Sequence, residues 1–294
     1  MSHLIQTDLF QVTAHEPPLR DNRDVMEYPF LSIQKGRKKP IEYASKDGRL
    51  TVSVAAPEKY GLATIWDWDL IIYLSAHIND ALENGQEPNQ WIEFAPHDAL
   101  KYMRKSTGGK DYKELVKTLR RLLNTGVTTT IRQSETSGEE GHLRWLEDYR
   151  IPKKYKEHEW MQSLDDGEPD ASRPWRVKLP DWIYQAIMRR TGILAVHRDY
   201  FKLTGGLERW LYRLARKSCP EKANSPLIPF KMETLHHRSG STRALRFFAA
   251  DIRKIAEKQS LPEYSLAIHK KGRNELVYFM HDKTKRRRLP RAFS

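Results

Sequence analysis

Along SGSTRALRFFAADIRKIAEK, residues 239–258, apolar side chains return every three or four positions as Leu245, Phe248, Ile252, Ile255 and Ala256. At about 100° per residue they share one side, the stripe by which an amphipathic helix meets a core. Arg243, Arg246, Arg253 and Lys254 fall roughly opposite, with the small Ala250 among them. The same period runs through KDYKELVKTLRRLLN, residues 110–124, where Tyr112, Leu115, Val116, Leu119, Leu122 and Leu123 form the inner stripe and Lys110, Lys113, Lys117 and Arg120 the outer one. Two longer apolar patterns predict helices over residues 63–85, stopping at Gly85, and over GLERWLYRLARKS, residues 206–218. Trp66, Trp68, Trp210 and Tyr212 lie within those apolar stripes and are expected in the core.

Alternation marks the strands. IEYAS and RLTVSVA flank Lys46-Asp47-Gly48, a hairpin signal. WIEF, residues 91–94, precedes a short helix, ALKYMRKS, that Asp98 can cap. VTTTIRQ and HLRWLEDYRI, separated by SETSGEEG, predict a second hairpin. YSLAIHKK and NELVYFMHD, on either side of Gly272-Arg273, predict a third. The order helix, strand, short helix, Gly-containing turn, basic helix, hairpin thus occurs twice, with Ile92 and Ile228 marking an offset of 136 residues. An α+β fold of two tandem winged-helix domains is expected, with the second helix of each helix-turn-helix in the DNA major groove.

The boundaries follow from composition. Residues 1–35 mix prolines and charges and are expected as a partly disordered leader; 36–157 form the first domain and 175–282 the second. The acidic, Gly- and Pro-containing segment 158–174 reads as the linker, and KTKRRRLPR opens a basic tail over 283–294.

Charge then suggests the partner. The chain of 294 residues carries a formal +13, and residues 226–294 hold 16 Lys and Arg against 6 Asp and Glu, so a net +10 sits in the last quarter. Clustered cations release counterions from phosphates, so duplex DNA is the expected ligand. The single cysteine, Cys219, forbids an internal disulfide and suits a reduced, cytoplasmic setting. No stretch approaches 18 apolar residues, and the start MSHLIQTDLFQ lacks a secretion-signal pattern, so no membrane association is expected.

In the second domain Arg243 and Arg246 are expected at base edges, because groove-reading helices contact bases with their first turns and Arg bonds guanine bidentately. Ser239, Ser241 and Thr242 are expected to cap that helix and to reach a phosphate at its positive end. Arg253, Lys254 and the hairpin-tip residues Lys270, Lys271 and Arg273 are assigned to phosphate. The first domain's equivalent surface is Thr107, Lys110, Lys113, Lys117 and Arg120; Glu114 and the acidic tip residues Glu135, Glu139 and Glu140 weaken its field. His236-His237 is expected to pack or to touch phosphate, since no third metal ligand accompanies the pair.

Enzymatic readings find no support. No His-x-His pair exists to hold a nicking metal beside a tyrosine, and Gly109-Lys110 is followed by Asp111, with Arg104 where a phosphate loop needs glycine. No His-Glu-x-x-His occurs, and no cofactor or metal is called for.

Several long blocks in order carry a resemblance: MEYPFLSI, GLATIWDWDLIIYL, STGGKDYKELVKTLRRLLNTGVTTTI, RDYFKLTGGLERWLYRLARKS and SGSTRALRFFAADIRKI. Over about residues 26–281 the chain resembles the replication initiator protein A family of plasmid replication initiators. The resemblance implies binding to direct repeats (iterons) at a plasmid origin, opening of an adjacent A·T-rich segment and recruitment of the host initiator and replicative helicase. It also implies an N-terminal domain through which a homodimer can form and repress its own gene. A dimeric winged-helix transcriptional regulator without a replication role is the other expectation compatible with the same domains.

Overall fold

Around Asp47-Gly48 the expected hairpin forms between Ile41–Ala44 and Thr51–Ala55, with Gly48 at φ +69° in the turn. Its inward positions Ile41, Tyr43, Val52 and Val54 are buried and the alternate ones face outward, as a one-sided sheet requires. The computed structural model describes residues 9–131, 141–154, 168–190, 192–219, 229–272 and 274–282. Seven α-helices lie among them: α1 (Trp68–Glu83), α2 (Pro96–Tyr102), α3 (Gly109–Asn124), α4 (Asp181–Met188), α5 (Gly206–Ser218), α6 (Met232–Ser239) and α7 (Leu245–Lys258). The fold is mixed α and β.

The internal repeat is visible in the helices. Pro96 to Met232 and Gly109 to Leu245, the starts of α2 and α6 and of α3 and α7, are each 136 residues apart. The sheets diverge. After α7, Tyr264–Lys271 and Asn274–His281 form a hairpin whose second strand also pairs with Phe230–Lys231, giving a three-stranded sheet. After α3, Gly126–Thr129 and Gly141–Arg144 pair with each other and extend the 41–55 hairpin into four strands. The strand Trp91–Phe94 belongs to a separate sheet, between Phe10–Gln11 and Trp175–Lys178, with Asp148–Arg150 outermost.

Three expectations need correction. From residue 9 onward the leader is part of the structure: Phe10–Gln11 pairs in parallel with Ile92–Glu93, and Arg20–Asn22 pairs with Ile193–Ala195. Leu19, Val25, Met26, Phe30 and Leu31 are buried, because MEYPFLSI and its neighbours bring more apolar surface than their charges offset. Second, Trp175–Lys178 and α4, placed in the second domain by the sequence, pack on the first half through Trp91–Phe94 and α1; Trp175, Val177 and Leu179 are buried there. Third, α2 starts at Pro96 with Ala95 at the N-cap, so Asp98 sits in the first turn and does not cap. Residues 158–167 of the expected linker lie outside the described residues, while Glu168–Pro169 pairs with Lys153–Lys154.

The two halves share one apolar cluster and a buried polar seam. Arg213 of α5 bonds Asp21 through Nε at 2.7 Å, with both side chains at or below 1% exposure. Trp68 Nε1 donates to the same carboxylate at 2.7 Å. Arg209 reaches Asp69 of α1 at 2.5 Å and donates to the carbonyls of Leu203 and Phe201. Such buried pairs contribute little net stability, but losing one partner strands a buried charge. Two glycines let the backbones meet: a Cβ at Gly206 would collide with the Ile33 carbonyl, and one at Gly240, which ends α6 at φ +64°, would come within 2.8 Å of Pro29.

Candidate nucleic-acid interface

Helix α7 is anchored by Phe248, Ala249, Ile252 and Ile255, all buried, and α6 crosses beneath its start. His236 packs edge-on against Phe248 and hydrogen-bonds the Arg243 carbonyl at 2.6 Å; His237 stacks on Tyr43 of the first half. The histidine pair therefore packs the turn. Among the described residues no group of three or more His, Cys, Asp or Glu could hold a metal ion.

The residues before the helix are engaged otherwise than their sequence suggests. Helix α7 starts at Leu245 with Ala244 at the N-cap, so neither Ser241 nor Thr242 caps it. Ser239 is buried inside α6, where its hydroxyl donates to the His236 carbonyl and accepts from the Ser241 amide, leaving nothing for phosphate. Ser241 Oγ accepts from the Arg243 amide at 3.3 Å, and Thr242 donates to Gln34 at 3.0 Å. The turn is thereby shaped by local serine bonds and tied to the first half. Arg37 completes the tie by donating to the Gly240 carbonyl at 2.6 Å and to those of Lys39 and Pro40.

On the outer face the cations divide into two sets. Arg243 lies outside the helix and pairs with Asp251 at 3.1 Å; Arg253 pairs with Glu275 on the hairpin through two bonds of 3.1 and 2.8 Å. Those bonds hold the Arg253 guanidinium above its ordinary pKa and tie α7 to the hairpin. Arg246, Lys254, Lys270 and Lys271 are exposed and meet no carboxylate among the described residues. Arg273 lies outside the described residues.

Helix α3 is more neutralised. Lys113 pairs with Glu168 at 3.0 Å and Lys117 with Glu114 at 3.7 Å. Arg121 turns inward and clasps the buried Asp67 with bonds of 2.9 and 2.7 Å, also reaching Glu114. Burial lowers its pKa, but the bonds and charges of Asp67 and Glu114 prevail and raise it. Thr107 is half-buried before the helix, Lys110 is exposed without an ion pair among the described residues, and Arg120 is partly buried with a partner. The acidic tip residues 135, 139 and 140 lie outside the described residues, as does the tail.

Sequence reading missed Arg37, whose partner lies 203 residues away, and it missed Phe247, which is 48% exposed among the arginines of α7. The Phe247-Phe248 pair held the signal, since Phe248 shares the inner stripe with Ile252 and Ile255 while Phe247, about 100° round the helix, falls outside it. It also placed Leu245 in the inner stripe; at 36% exposure Leu245 projects past the edge of the core at the helix start.

Comparison with known proteins fits this architecture. Residues 20–266 match the family described as replication initiator protein A. A protein of Wigglesworthia glossinidia brevipalpis named "Putative replication protein" is 27% identical over 244 residues, 82% of each chain. Among solved structures, domains 2 and 3 of RctB superpose with a TM-score of 0.60 at 12% identity, covering 86% of this chain and 94% of that one. A second structure of RctB domains 2–3 gives 0.56 at 12% identity, with 85% and 93% covered. The family match spans most of the residues that build both halves, and on that ground the chain belongs to the replication initiator protein A family.

Proposed function

We propose that the protein initiates plasmid replication by binding repeated duplex sequences at an origin, and that α6, α7 and the following hairpin form the winged helix that reads them. The observation that carries this reading is an outward helix face where Arg246 and Lys254 have no carboxylate partner among the described residues, beside a hairpin tipped by Lys270 and Lys271. Unpaired exposed cations are what a phosphate backbone can use, and an arginine in the first turn of a groove-lying helix is where base edges are met. Arg243 contributes by leaving Asp251 for the DNA; Arg253 positions the hairpin. Helix α3, with its cations mostly paired, adds weaker backbone contact through Lys110. On the family resemblance, the proposal extends to origin opening, recruitment of the host helicase and initiator in the cytoplasm, and autorepression by a homodimer through the N-terminal half.

Footprinting of the purified protein at physiological salt, across the replicon that encodes it, tests the reading. Protection of several direct repeats beside an A·T-rich tract is the expected outcome. Protection of one inverted repeat at its own promoter would assign the same helix to a transcriptional regulator.

A further inference from the structure

Leu245 and Phe247 are the two exposed large apolar side chains among the described residues, and both stand at the leading end of α7. Solvent-exposed aromatics at isolated positions are ordinary, but Phe247 is not isolated. The Arg246 guanidinium lies 4.6 Å from its ring centroid and that of Arg243 5.7 Å. Two cations share one ring. Asp251 pairs with Arg243 at 3.1 Å in the unbound chain, so the three side chains form an array in which two guanidinium groups lie over an apolar ring that is still 48% exposed.

We infer that Phe247 reads thymine, packing its ring against the C5-methyl group in the major groove while the flanking arginines engage neighbouring guanines or phosphates. This rests on the DNA-reading role proposed for α7. The major groove displays one apolar group per A·T pair, the thymine methyl, and an aromatic ring is among the side chains that contact it. Charge complementarity selects this occupant: a ring bordered by Arg243 and Arg246 suits a polyanion far better than an apolar protein surface, whose approach would bury both guanidinium groups. The small Ala250, one turn further on, keeps the helix low enough for the ring to reach the groove floor. The ring also keeps Arg246 from exploring solvent before binding, so less rotamer freedom is lost on contact.

The test uses the full-length chain and fragments tiled across its own replicon, amplified with either dTTP or dUTP so that uracil replaces thymine and only the methyl is lost. Wild-type protein is expected to bind its preferred thymine fragment about fourfold more tightly per contacted methyl, the ratio given by about 0.8 kcal/mol for one buried carbon. Phe247→Ala is expected to erase that ratio on the same fragment while keeping its circular dichroism and melting temperature, and Phe247→Leu to retain part of it. Equal wild-type affinity for thymine and uracil fragments would overturn the inference and leave DNA reading intact, as would an undiminished ratio in Phe247→Ala. Absence of any preferred fragment for the wild type would sink the reading of α7 and this inference together. Loss in Phe247→Ala of concentration-dependent self-association, with the ratio unchanged, would assign the ring to a second copy of the chain.

Discussion

Arg246 and Arg253 lie seven residues apart on the outer side of α7, and only their neighbours distinguish them. Arg253 is clamped by Glu275, whereas Arg246 rests on an aromatic ring and faces no carboxylate among the described residues. Arg246→Ala is therefore expected to lower affinity for the specific site by about 1–3 kcal/mol and to relax preference at one base position. Binding-site selection with the variant checks this, and equal weakening on random duplex would reassign the arginine to phosphate. Arg253→Ala, which removes an exposed pair, should cost about 1 kcal/mol or less of stability and should leave base preference unchanged. The stripe itself was legible from spacing, as were the buried Phe248, Ile252 and Ile255. Which cations were already spent was not, because Asp251 and Glu275 are fixed as partners only once the turn and hairpin exist. Ser239 shows the same limit: a serine before a helix suggests a cap, yet the left-handed Gly240 closes α6 first and leaves Ser239 inside it.

Among the elements, α1 carries a buried titratable group with a consequence for pH. His77 is 2% exposed, in ring contact with Tyr73, Tyr102 and His15, and its Nε2 has no hydrogen-bond partner among the described residues. Burial, helped by the charge of His15 and opposed by Asp80, pushes its pKa down from 6.5 to about 3. The unfolded chain takes up a proton there that the folded chain refuses. Stability from this group is full above pH 6.5 and falls as pH drops toward 3, by about 1.4 kcal/mol per unit. Urea titrations between pH 7 and pH 4 should show His77→Leu with the shallower pH dependence; an identical slope would mean that His77 is protonated in the fold. Helices α3, α5 and α7 were legible because each repeats its apolar period within its own length, and the 136-residue offset shared by α2 and α6 and by α3 and α7 was read from the order of elements; the short α4 was not read. The sheets were not. Trp91–Phe94 matches Phe230–Lys231 in sequence position, but its partners are ten residues from the chain start and some eighty residues downstream, a choice local alternation does not encode.

For the molecule as a whole, the seam through Asp21, Asp69, Arg209 and Arg213 ties the two halves together, and cooperative unfolding is the expected consequence. Arg213→Ala leaves Asp21 buried without its cation and is expected to cost about 3–5 kcal/mol, read as a lower urea midpoint, whereas a paired Asp21→Asn, Arg213→Met chain should recover much of the loss. Both should unfold in a single transition; two separate transitions in the wild type would show that the seam does not couple the halves. Deleting residues 283–294 is expected to weaken binding to all duplexes alike and to flatten the salt dependence, and an unchanged slope would make the tail a bystander.

The Asp21–Arg213 bond also sets a clock on synthesis. Its partners are separated by 192 residues, so at roughly 5–20 residues per second the ribosome delivers the arginine about 10–40 s after the aspartate. Until then the early strand Arg20–Asn22 lacks both its sheet neighbour and its counter-charge, and no completed first half waits in finished form. On the DNA-reading role proposed for α7, competence to bind an origin arrives only with the last third of the chain, and a fragment ended before Leu245 is expected to lack it.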